Sequence, residues 1–69
     1  MKFNIYNRFI LEIVRENDQW LVFRTGEGTR RRERDLFIPS DLDSSELAGF
    51  LDDIYHELAE PGQQIKRMT

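Results

Sequence analysis

Cysteine is missing from the chain, which excludes a disulfide framework and a cysteine-ligated zinc site as ways of holding a small fold together. Long apolar runs are missing too. The longest is Trp20-Leu21-Val22-Phe23, far short of a membrane span or the core of a secretory leader. These absences point to a cytoplasmic protein with no membrane partner. Histidine occurs once, at His56, and the hydroxyls of Ser40, Ser44 and Ser45 fall at the opposite end of the same expected helix or before it. A nucleophile and its base therefore do not meet. Asp52 and His56, four residues apart, supply two metal ligands where a site needs more. Asp41, Asp43 and Glu46 lack the glycine and the late glutamate of a calcium loop. Gly26-Glu27-Gly28 has neither the spacing nor the following helix of a phosphate cradle. The expectation is a non-enzyme with no cofactor and no metal.

What the chain does have is charge, unevenly placed. From Arg24 to Arg34 five arginines (Arg24, Arg30, Arg31, Arg32 and Arg34) face two glutamates, and from Asp43 to Glu60 six acidic residues face no lysine or arginine. A domain with one basic end and one acidic helix can pair with itself or present either surface to a partner. At 69 residues without cross-links, a single core is marginal, so association with a second copy is a natural source of stability.

The strongest periodicity lies in Asp43 to Glu60, where Leu47, Phe50, Leu51, Ile54 and Leu58 form one helical stripe. Asp43 and Glu46 stand in a capping-box relation, Leu42 and Leu47 in that of a hydrophobic staple, and Pro61-Gly62 stops the helix. Gly49 falls on the polar side, where it costs about 1 kcal/mol against alanine; it reads as drift or as a point of close approach by a partner. Upstream, Phe3, Ile5, Phe9, Leu11 and Ile13 alternate over Met1 to Val14, with Asn7-Arg8 interrupting without a change of phase, which suggests one continuous strand bulged near Asn7. Gln19 to Thr25 is the second strand. A three-residue loop at Glu16 to Asp18 pairs Leu11 with Phe23 and Ile13 with Leu21, collecting the apolar residues, and is preferred on that ground over a two-residue loop at Asn17-Asp18. Thr29 to Arg34 is a charged edge strand or a loop, and Leu36 to Ile38 a short third strand ended by Pro39. The fold class expected is α+β: a three-stranded antiparallel meander over residues 1–62 with one C-terminal helix across a face, then a flexible tail at 63–69.

That register leaves Ile10, Val14, Trp20 and Val22 on the face without the helix. They are the candidate protein interface, for a homodimer or an unidentified protein partner, with Trp20 as its anchor. Arg24, Arg30, Arg31, Arg32 and Arg34 are candidate polyanion contacts, nucleic acid included. Consecutive arginines on a strand alternate faces, and the acidic helix repels a polyanion, which makes this the second reading. The stretches KFNIYNRFILEIVRE, WLVFRTGEG with its arginines, and IPSDLDSSELAGFLDDIYHELA together resemble short bacterial proteins grouped as a domain of unknown function. The resemblance implies a bacterial source and a small sheet-plus-helix fold, and it brings no site residues.

Overall fold

A computed structural model describes residues 1–26 and 28–68. It is an α+β fold. Strands β1 (Lys2–Ile5), β2 (Phe9–Glu16), β3 (Gln19–Gly26), β4 (Thr29–Arg32) and β5 (Lys66–Arg67) form one antiparallel sheet in the order β4-β3-β2-β1-β5. One helix, α1 (Leu47–Tyr55), is extended at either end by a 3-10 turn, Ser44–Glu46 before it and His56–Leu58 after it.

The sheet has five strands where the periodicity suggested three, and the differences are local. The expected bulge near Asn7 is a turn: Tyr6 and Asn7 both adopt positive φ (52° and 60°), Arg8 N donates to Ile5 O, and Ile5 then pairs with Phe9. Phase survives the turn because three residues separate the paired ends, so one apolar parity runs through two antiparallel strands. The arginine segment is the edge strand β4, whereas Leu36 to Ile38 belongs to an irregular connection in which Ile38 is buried and Phe37 is 80% exposed. Of the segment 63–69, read from sequence as a flexible tail, residues 66–67 supply β5 on the outer edge of β1, with Met68 N donating to Lys2 O and Ile65 packing against the core, and residue 69 lies outside the described residues.

The β2–β3 register differs by one residue from the expected one. Glu16 pairs with Gln19 across a two-residue turn in which Asn17 and Asp18 both have positive φ (52° and 60°), the arrangement whose twist matches that of the flanking strands. Ile13 therefore faces Val22, and Val14 faces Leu21. A slip of one residue sends every β3 side chain to the opposite face. Trp20 and Val22 thus lie on the helix side, and Leu21 and Phe23 on the open side. The apolar count misled because β3 is apolar on both parities, whereas Asn and Asp are the residues that tolerate the left-handed conformation this turn demands. Asp18→Gly removes the remaining cost at φ 60° and is expected to stabilise the fold by about 0.5 kcal/mol, read as a higher urea midpoint at unchanged slope.

The core lies between sheet and helix. Phe3, Ile5, Leu11, Ile13 and Val22 come from the strands, Leu47 and Leu51 from α1, Tyr6 from the turn and Ile38 from the connection, all buried. Of the expected stripe, Ile54 and Leu58 stay 44% and 37% exposed. For Leu58 the reason is the tightening to 3-10 geometry at His56, which rotates each later side chain off the α-helical stripe. The capping box is present: Asp43 accepts from Ser45 N (3.0 Å) and Glu46 accepts from Asp43 N (3.0 Å). The Ser45 hydroxyl, then its backbone N–H, holds the Asp43 carboxyl below the ordinary carboxylate range. A Cβ at Gly49 meets nothing within 4 Å, so the position is open.

Candidate functional site

Two surfaces follow from this topology, and a third feature fixes the helix between them. Tyr6 is 1% exposed, and its hydroxyl donates to Asp52 Oδ1 on α1, while Arg8 Nε donates to the carbonyl of Leu58 (2.9 Å). The β1–β2 turn thereby holds both the middle and the end of the helical segment. A bulky residue at positive φ stores strain that only firm surroundings maintain, and here the phenol's burial and hydrogen bond supply them. Burial, then the Asp52 carboxylate, pushes the Tyr6 phenol up to about 12 from 10.0. Below pH 10 folded and unfolded chains both keep that proton. Between 10 and 12 the unfolded chain gives it up first, so stability falls as pH rises through this window. Tyr6→Phe is expected to flatten that fall in alkaline denaturation, although Tyr55, raised by burial and by Glu33, retains its own share.

Asp52 is thus engaged by Tyr6, and His56 Nδ1 lies 3.0 Å from the Asp53 carbonyl oxygen. Among the described residues no three His, Asp or Glu side chains converge as a metal-holding group.

The open sheet face carries Ile10 and Val14 from β2 and Leu21 and Phe23 from β3, all half-buried, and none of them packs against the core. Register places Glu12, Arg30 and Arg32 beside them, with Lys2 opposite Glu12. Arg30 lies 3.8 Å above the Phe23 ring and pairs with Glu12 (2.7 Å), and Arg32 stands 5.8 Å from the same ring. The arginine stems cover the β4 side of this face. Two of the four sequence-proposed interface residues, Ile10 and Val14, are here.

Trp20 and Val22 are elsewhere. Val22 is 2% exposed within the core, and Trp20 packs against it with Nε1 donating to the Leu42 carbonyl (2.9 Å). Arg15 lies 4.8 Å over the indole and donates to the Ser40 carbonyl (2.7 Å). Trp20 clamps the 33–43 connection onto the sheet. It does not anchor an outer face. Leu21 and Phe23 are the residues that sequence reasoning missed, and the signal that finds them is the Asn17-Asp18 turn.

The arginines separate as strand alternation requires. Arg24 turns to the helix side, its guanidinium 4.0 Å over Phe9, which in turn meets Tyr55 edge-on at 5.4 Å. Its Nε is buried without a hydrogen bond, 3.3 Å from Glu33 Oε2. Arg31, opposite Arg24, shares that side, Arg30 and Arg32 share the other, and Arg34 is exposed in the connection. No single flat basic patch forms from the five. A groove of about 380 Å³ opens at the end of β4, lined by Trp20, Val22, Arg32, Arg34, Leu36 and Phe37 among others.

The class these features define is a small sheet-plus-helix domain with an open sheet face and a basic edge. Among the described residues no helix is long and apolar enough to cross a membrane. The chain belongs to a family of proteins described as Domain of unknown function (DUF7661), whose model matches residues 1–69. No curated protein and no solved structure matches it.

Proposed function

We propose that the protein is a non-catalytic interaction module that self-associates, each copy covering the open sheet face of the other. One observation supports this above the rest: Ile10, Val14, Leu21 and Phe23 share a sheet face that, among the described residues, no helix covers, away from the core. Nine buried hydrophobic side chains among the described residues make a small core for a chain without cross-links, and burial against a second copy adds the apolar area that the monomer lacks. A two-fold arrangement brings the same four residues together from both copies and closes the assembly at a dimer. The module needs neither cofactor nor metal. The proposal includes a bacterial, cytoplasmic setting, in which a chain without cysteine has no disulfide to lose.

Sedimentation equilibrium over rising protein concentration tests it. The expected result is a mass that climbs from one chain to two and stops there. A single-chain mass at every concentration, together with salt-sensitive binding of an oligonucleotide, would remove self-association and favour the arginines as the working surface.

A further inference from the structure

We propose that the free edge of β4, with the groove at its end, takes an extended acidic segment of a partner protein as an added strand. The proposal does not rest on self-association, because this edge lies in the plane of the sheet and stays open when the face is covered.

The backbone supplies the template. Glu33 N donates to Val22 O (2.8 Å), in line with the register that pairs Arg24 with Arg31 and Phe23 with Arg32. In an antiparallel ladder the hydrogen-bonded pairs alternate. Val22–Glu33 and Arg24–Arg31 are bonded pairs, so the backbone N–H and C=O of Arg30 and of Arg32 turn outward, away from β3. Those four groups are what an added strand needs.

The side chains select the occupant. Arg30 and Arg32 flank the edge on the open face and Arg31 on the helix side, while Arg34 stands beyond the strand's end. Among the described residues Arg31 and Arg34 have no ion-pair partner, whereas Arg30 is held by Glu12 and Arg24 by Glu33. A second copy of β4 is a poor occupant, since antiparallel edge-to-edge pairing sets arginine against arginine. A strand bearing carboxylates on both of its faces is matched. The groove then favours an apolar side chain where that strand passes the end of β4. Trp20, Val22 and Leu36 line it, and Phe37, 80% exposed, is the most exposed large apolar residue among those described. The partner segment is therefore extended, acidic and interrupted by an apolar residue. Guarding the edge against aggregation accounts for the arginines alone, but not for an exposed phenylalanine in the wall of a groove that Trp20, Leu36 and Ile38 also line.

The test uses a fluorescent peptide of consecutive glutamates ending in phenylalanine, which carries carboxylates on both faces of an extended strand, with anisotropy read at low and moderate salt on the intact protein. Three controls accompany it: the same peptide with a central proline, its lysine counterpart, and an oligothymidine. The expected result is binding of the glutamate peptide, shifts of the Arg30 and Arg32 amide resonances, and a loss of about tenfold or more on proline insertion, which deletes a ladder hydrogen bond. Arg31→Glu and Phe37→Ala, both at exposed positions, should each weaken binding without changing the thermal midpoint. No binding at low salt would overturn the proposal. Equal binding of the proline peptide or of oligothymidine would also overturn it, reducing the edge to a diffuse cationic surface.

Discussion

Leu51→Ala is expected to leave the chain largely unfolded at room temperature, whereas Ile54→Ala, on the same helical stripe, is expected to be nearly silent. Leu51 has no exposed surface and fills the space between α1 and the sheet, so its truncation removes apolar transfer energy and leaves a cavity, costing about 2–5 kcal/mol. A domain of this size without cross-links rarely holds more than about 3–5 kcal/mol in all, which the upper part of that range matches. Ile54 is 44% exposed, and losing its side chain costs about 1 kcal/mol or less. Urea unfolding followed by far-ultraviolet circular dichroism separates the two. Equal costs would mean that the helix lies on the sheet in another rotation, as a uniform stripe implies.

The second large effect concerns association. Leu21→Arg places a charge in the middle of the open face, opposite Val14, and is expected to raise the dimer dissociation constant by about 100-fold or more, the scale of a central interface residue. Because Leu21 does not pack against the core, the monomer should keep its stability, so the mass changes while the urea midpoint of the dissociated chain does not. Trp20→Ala should do the reverse. Its ring packs on the core and its Nε1–H holds the Leu42 carbonyl, so its removal should lower the midpoint and loosen the 33–43 connection while leaving the association interface in place. Loss of dimer with Trp20→Ala at full stability, and none with Leu21→Arg, would assign the interface to the helix side.

The contrast between these neighbours is also where the sequence could mislead. Helix and caps were legible, because Asp43 and Glu46 make local bonds that depend on spacing alone. The alternation of β1 and β2 was legible for a similar reason: Phe3, Leu11 and Ile13 are apolar between polar or half-buried neighbours. In β3 the residues Trp20 to Phe23 are apolar without interruption, so parity carries no information about which face is inside. Only the backbone preference of Asn17-Asp18 breaks the tie. The turn at Tyr6-Asn7 was hidden because a tyrosine at positive φ runs against local propensity, and its burial against Asp52 is a contact made 46 residues away. β5 was hidden because two residues pairing with a distant edge leave no periodic pattern. The arginines illustrate the opposite case. Their alternation was readable in advance, and the sheet divides them accordingly.

Which surface meets the second copy is answered most directly by isotope-filtered nuclear Overhauser measurements on a mixture of labelled and unlabelled chains. The account predicts intermolecular contacts from the methyl groups of Ile10, Val14 and Leu21 to the Phe23 ring or to one another, with those of Val22 and Leu51 silent. Intermolecular contacts confined to Ile54, Leu58 or Phe37, or none in a sample that sediments as a single chain, would contradict it.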